Sequence, residues 1–250
     1  MKKSLKEKLI KNMFDHISIK YDFINRILSL GMDIIWRKKL VYLLNNFHKK
    51  KNFLNILDLA TGTGDLTFLL SKIFTNSYII GLDPSNKMLE IAKNKLNNSK
   101  NILIKKRIQF ITGYSQNIPF KNKNFDIVTI SFGIRNFQFL HLSLNEIYRI
   151  LKNNGTLAIL EFSIPSNFLI RKIYYFYNNL FMSNIGGFLS KNYSAFNYLK
   201  ESIKHFNYSG EKMKKLLTYH NFNYVHMEKL SLEIASIYLS KKITNNNYSR

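Results

Sequence analysis

The stretch that decides the fold runs Asn55-Ile56-Leu57-Asp58-Leu59-Ala60-Thr61-Gly62-Thr63-Gly64-Asp65-Leu66. A short apolar run reads as a buried strand, it ends in a Gly-x-Gly turn, and a helical pattern starts at Leu66. Strand, tight glycine turn and helix N-terminus together make a nucleotide cradle. Gly62 and Gly64 can take positive φ and let a ligand approach the bare backbone. Asp83 ends the next apolar run, Ile79-Ile80-Gly81-Leu82. It lies about 20 residues beyond the glycines, the spacing of a carboxylate that grips ribose hydroxyls.

Working outward, the chain alternates strand and helix. Hydrophobic patterning predicts strands at 55–59, 78–82, 108–112, 125–132 and 155–163, with helices at 66–74, 85–97 and 138–152 between them. A helix at 209–220 and strands at 222–230 and 234–240 follow, the last two antiparallel because their connection is short. This predicts an α/β, Rossmann-like domain with a mostly parallel seven-stranded sheet and an antiparallel C-terminal hairpin. Ligands in such sheets sit beyond the carboxyl ends of the strands. Those ends carry Asp58 to Gly64, Asp83, Gly113 to Ser115, Ser131 to Asn136 and Glu161 to Ser163.

Two stretches flank this pattern. Before it, residues 1–12 read as a basic, frayed helix. Phe14, Ile17, Tyr21, Ile24, Ile27 and Leu28 then recur at helical spacing up to Gly31, and a second helix over Ile34 to Asn46 carries the only tryptophan, Trp36. Residues 1–48 are either two helices packed on a sheet edge or a helical cap that brings Asp15, His16, Tyr21 and Asp22 near the pocket. After the fifth strand, residues 166–206 are rich in aromatics, among them Tyr174, Tyr175, Phe176, Tyr177, Phe181, Phe188, Tyr193, Phe196, Tyr198 and Phe206. They form either a satellite core or a lid lining a substrate pocket. The polar end, Lys241 to Arg250, reads as a tail. The whole chain, 1–250, reads as one domain.

Composition narrows the classes. At 250 residues and 46% hydrophobic content the chain can bury a full core. No apolar run reaches the roughly 18 residues of a membrane span, and the charged N-terminus lacks the apolar region of a signal peptide. The absence of cysteine removes disulfides, thiolate metal sites and cysteine nucleophiles, and fits a cytoplasmic protein. A formal net charge of +23 points to an anionic membrane surface, to nucleic acid, or to codon bias. With 31 Lys and 31 Asn against 7 Arg, spread along the chain, codon bias is the leading reading, and no nucleic-acid partner is expected.

The cradle serves two cofactor classes. A nicotinamide site would show G-x-G-x-x-G, but Thr67 occupies the third position. Gly-x-Gly, Asp83 and a terminal hairpin favour S-adenosylmethionine instead. The loop Gly133-Ile134-Arg135-Asn136-Phe137 lacks the prolines of amino methyltransferases, and the missing cysteine excludes the covalent route to cytosine C5.

The motifs go further. Asn117-Ile118-Pro119-Phe120, Phe125-Asp126 with its strand, and Leu151-Lys152-Asn153-Asn154-Gly155 resemble class I methyltransferases. Lys20-Tyr21-Asp22, Trp36-Arg37, Gly62-Thr63-Gly64-Asp65-Leu66-Thr67, Ile130-Ser131-Phe132-Gly133-Ile134-Arg135-Asn136, Leu160-Glu161-Phe162-Ser163 and Tyr198-Leu199-x-Glu201-Ser202-Ile203 resemble the ubiquinone/menaquinone biosynthesis C-methyltransferase family, from about Phe14 to Lys241. The resemblance implies C-methylation of a polyprenylated quinol ring with S-adenosylmethionine and no metal. It implies that Gly62, Thr63, Gly64, Asp83, Tyr114, Ser115 and Ser131 bind the cofactor. Arg135 and Asn136 are then first choice to orient the quinol oxygen and stabilise phenolate charge, and Glu161, Asp15, His16 and Tyr21 are candidate bases. Tyr114 replaces the family's usual Asn or Asp, with stacking in place of a side-chain contact to adenine. Thr61 replaces a glycine, and Ile164 stands where lysine is common. A prenylated substrate implies peripheral contact with the inner membrane surface, and a homo-oligomer stays open. The competing readings are an RNA methyltransferase and a non-catalytic scaffold.

Overall fold

The computed structural model describes residues 2–49, 53–173, 198 and 201–243. Helices α1 (Lys2–Leu28) and α2 (Met32–His48) precede an alternating run. That run is β1 (Asn55–Leu59), α3 (Asp65–Ile73), β2 (Tyr78–Asp83), α4 (Asn86–Asn97), α5 (Ile102–Arg107), β3 (Ile108–Thr112), β4 (Phe125–Ser131), α6 (Leu140–Ile150) and β5 (Leu151–Phe162). The chain closes with α7 (Glu211–Tyr219), β6 (Phe222–Leu230) and β7 (Ala235–Lys242). The sheet has seven strands in the order β3-β2-β1-β4-β5-β7-β6. Only β7 runs against the others, pairing antiparallel with both β5 and β6.

Alternation along the strands explains the layers. Ile56, Ile79, Ile127, Ala158 and Leu160 face the side covered by Trp36, Leu40, Leu44, Leu66, Leu70 and Leu89. Leu57, Ile80, Val128, Leu157 and Ile159 face the other side, covered by Leu144, Ile147, Ile150, Met213 and Leu217. Both sheet faces are buried, which is why the central strands are continuous apolar runs.

Three expectations change. Residues 2–12 continue α1 without a break. Helix α5 was not legible, since Ile102 and Leu103 point outward and only Asn101 caps its start through two backbone N–H donors. The helix expected to reach 152 stops at Ile150. There Leu151 pairs with Phe125, and the chain turns tightly at Asn154 (φ 60°) and Gly155 before re-entering the ladder at Thr156. A side chain at Gly155 would lie 2.8 Å from the Lys152 carbonyl. Most of the aromatic stretch 166–206 lies outside the described residues.

Strand order reverses at β1 and β4, which part in opposite directions at their carboxyl ends. That is the topological switch point where a crevice must open.

Candidate active site

A cleft opens at that point. Its walls include Ala60 and Gly62 after β1, Asp83 and Ser85 after β2, Gly113 to Gln116 after β3, Ser131 to Gly133 after β4, and Phe14 and Tyr21 from α1. A smaller cavity continues beneath the glycine turn, lined by Asp22, Arg37, Asp58, Thr63 and Asp65. Tyr21, Ala60, Gly62 and Ser131 line both.

The glycine turn has the expected shape. Gly62 and Gly64 have φ of 57° and 86°. A Cβ on Gly64 would lie 3.0 Å from both Phe110 and Phe68. Gly62 N–H donates to Asp83 Oδ2 at 2.9 Å and Ser85 N–H to Oδ1 at 2.8 Å, so the carboxyl is aimed by two backbone amides. Burial pushes Asp83 up to about 6, against the pull of these two hydrogen bonds.

Helix α1 closes over the cradle from both edges. Asp22 accepts from Thr63 Oγ and from Lys95 Nζ, each at 2.6 Å. Asp15 accepts from Ser85 Oγ at 2.5 Å and from Lys11 at 2.8 Å. These two carboxylates lie two helical turns apart on one face of the helix. Ser131 Oγ is buried and has no hydrogen-bond partner among the described residues. An orphaned hydroxyl between two cavities, beside a glycine turn that leaves the backbone bare, fits a polar ligand bridging them. It fits S-adenosylmethionine, whose methionine and nucleoside ends both carry polar groups.

Two expected site residues sit differently from one another. Asn136 lines the cleft and accepts from Tyr198 Oη at 3.0 Å. Arg135 stands behind it, with a side chain only 4% exposed. Its Nη1 donates to Glu161 Oε1 and to the Phe132 carbonyl, each at 2.6 Å, and its Nε to Ser202. Glu161, 1% exposed, is this arginine's counter-ion and does not border the cleft. His16 is exposed and placed against the Asn12 carbonyl. Burial raises Tyr21 and Tyr198 above the usual phenol range, and Arg135 opposes that shift at both. Tyr114 is 38% exposed at the cleft mouth, and Ser115 Oγ lies 2.8 Å from Ser143 Oγ. Ile10, Met88, Phe137 and Gln138 also line the cleft and were not singled out from the sequence. Apolar spacing on the first helix was the available signal for Ile10.

Glu161→Ala should lower the unfolding free energy by about 3–5 kcal/mol, because it leaves a buried guanidinium without its counter-charge. Ser131→Ala removes a group that is already unpartnered, so it should leave the urea midpoint unchanged or raise it. A large loss in the second and none in the first would reverse this assignment.

Comparison with known proteins agrees with the geometry. The model of the ubiE/COQ5 methyltransferase family matches residues 2–242. The ubiquinone/menaquinone biosynthesis C-methyltransferase UbiE of Wigglesworthia glossinidia brevipalpis is 40% identical over 89% of this chain and 86% of its own length. The demethylmenaquinone methyltransferase of Thermotoga maritima is 38% identical over 92% of this chain and 95% of its own. Among solved structures, a putative S-adenosylmethionine-dependent methyltransferase of Methanococcus maripaludis superposes with a TM-score of 0.63 at 21% identity, covering 92% of this chain and 94% of that one, and shows the shared fold. The protein is therefore an S-adenosylmethionine-dependent methyltransferase, and the chain belongs to the ubiE/COQ5 methyltransferase family.

Proposed function

We propose that this protein methylates a ring carbon of a polyprenylated quinol, converting demethylmenaquinol to menaquinol, 2-polyprenyl-6-methoxy-1,4-benzoquinol to its 3-methyl product, or both. The observation that carries the reading is the junction of the two cavities. A polar pocket under the glycine turn opens, past Tyr21 and Ser131, into a cleft walled by Phe14, Phe132 and Phe137. Relatives named for quinone-ring methylation support the same substrate class.

In this reading the backbone at Gly62 to Gly64 and Thr63 hold the methionine end of the cofactor. Asp83 accepts the ribose hydroxyls, Tyr114 and Ser115 border the adenine, and Ser131 donates to the cofactor. When bound, the cofactor supplies an electrophilic sulfonium methyl. The residues of the chain set the approach geometry, exclude water and hold the quinol oxygen. Asn136 is the polar side chain in reach of that oxygen. Arg135 acts from behind it, where its buried charge favours the phenolate form of a ring hydroxyl as it does for Tyr21 and Tyr198. Helices α1 and α2, within residues 1–48, cap the site.

The prenyl tail calls for a bilayer. Among the described residues no helix is long and apolar enough to cross one. Peripheral docking is supported by exposed Leu30, Ile34, Ile35 and Leu232 at the carboxyl end of the sheet, the end that carries the cleft. Leu232 is 68% exposed in a turn whose three residues Ser231, Leu232 and Glu233 all have positive φ. Trp36 Nε1 holds this turn through Ser231 Oγ at 2.9 Å.

Incubation with S-adenosylmethionine and each reduced quinol should yield a singly C-methylated product by mass spectrometry. Absence of product from both quinols under reducing conditions refutes the reading. Cofactor affinity should be flat above about pH 6, where Asp83 is ionised. Below that the carboxyl must first give up a proton, so affinity should fall by about tenfold per pH unit, read by calorimetry. Asp83→Asn should abolish this dependence along with most binding. In flotation with anionic vesicles the parent should rise with the lipid, and the double variant Ile35→Asp, Leu232→Asp should stay behind. Equal flotation of both would move the docking face elsewhere.

A further inference from the structure

Asp58 is the penultimate residue of β1, directly beneath the glycine turn, and is 1% exposed. Its Oδ1 accepts from Thr129 Oγ at 2.8 Å. Its Oδ2 lies 2.8 Å from Thr61 Oγ and 2.7 Å from Thr67 Oγ. Those two hydroxyls are themselves 2.8 Å apart. Three oxygens therefore form a closed triangle, and every edge has the length of an O–H···O hydrogen bond.

A triangle of three hydrogen bonds needs three protons, and each threonine hydroxyl supplies one. If Asp58 were ionised, both would point at Oδ2. The Thr61–Thr67 edge would then be two oxygens pressed together with nothing between them, and both donors would crowd one side of the carboxylate oxygen. A proton on Oδ2 removes the conflict, because each oxygen then donates once and accepts once around the ring. We infer that Asp58 is held as a neutral carboxylic acid by Thr61 and Thr67, and that it is a positioning residue that locks the glycine turn without adding charge to it.

The surroundings agree. Arg37 from α2, Asp65 from α3 and Asp22 from α1 line the same cavity as Asp58, and Asp83 faces it from the end of β2. Arg37 is already committed to Asp33 through a charged hydrogen bond. Burial raises Asp58 above the ordinary carboxyl range, against the pull of Thr67, Thr129, Thr61 and Arg37. With Asp58 neutral, the repulsion it would exert on the ionised form of Asp83 is gone. The device depends on Thr61. A glycine at that position has no hydroxyl and cannot close the ring.

Infrared difference spectroscopy on the cofactor-free protein tests this without reference to any quinol. At neutral pH the parent should show a carboxylic-acid C=O stretch that disappears in Asp58→Asn. Thr61→Val keeps the shape of the side chain but removes one proton of the ring. It opens the ring and should shift that C=O band while the protein stays folded by circular dichroism. Absence of an acid band from Asp58 in the parent, or its persistence unchanged in Thr61→Val, overturns the inference. Should Asp58→Asn not fold, isotope-edited spectra of the parent and Thr61→Val decide the matter alone.

Discussion

Two neighbouring strands, β1 and β4, must leave the sheet in opposite directions, and the rest of the molecule is arranged around the gap this makes. Each strand ends in a side-chain-bearing residue forced to positive φ, Ala60 at 58° and Phe132 at 56°. Such conformations cost on the order of 1–3 kcal/mol each and persist only where their surroundings hold them. Phe132 is held by its N–H to the Leu160 carbonyl, by Arg135 on its own carbonyl, and by packing against Trp36 and Phe162. Ala60 leaves no room for a neighbour, since a Cβ on Gly133 would come within 2.7 Å of its own. The tight packing of the two strand ends sets the floor of the cleft, and the side chains that chemistry needs are hung from its rim.

Charge is distributed against the grain of the composition. The chain has only 15 acidic residues against 38 basic ones. Yet Asp15, Asp22, Asp33, Asp58, Asp65, Asp83 and Glu161 all gather around the carboxyl end of the sheet. They do different work there because their surroundings differ. Asp33 clamps Arg26 and Arg37, and Asp65 shares Lys95 with Asp22, so four helices are tied together across the site. Glu161 neutralises one buried guanidinium. Asp83 is aimed by backbone amides into the cleft. The lysine excess is largely a property of the outer surface, and the site was built with the scarce residue type.

Much of this was legible before any coordinates. Strands β1, β3 and β6 fall where period and composition put them, and the strand ends named from topology alone line the cleft. Burial and proximity were not legible. Arg135 and Asn136 are adjacent in sequence, but a 3-10 turn at Ile134–Asn136 sends one into the protein and the other to the cleft. Glu161 read as a base because nothing in the sequence shows which cation it meets. Thr61 and Thr67 looked like departures from two motifs, and their common purpose appears only when both hydroxyls are seen on Asp58. Helix α1 was readable as amphipathic, but not its reach to Ser85 on one side and Thr63 on the other.

Trp36 is the only tryptophan in the chain. Its ring meets Phe132 and Phe162 with centroids 6.1 Å away in each case, and Arg37 lies over the Phe132 ring. Its indole N–H is tied to the turn that carries Leu232. One fluorophore thus touches the strained end of β4, the end of β5 and the apolar rim at once. The protein carries an optical gauge at the point where the cofactor cleft meets that rim, and its emission can follow changes at either without a label.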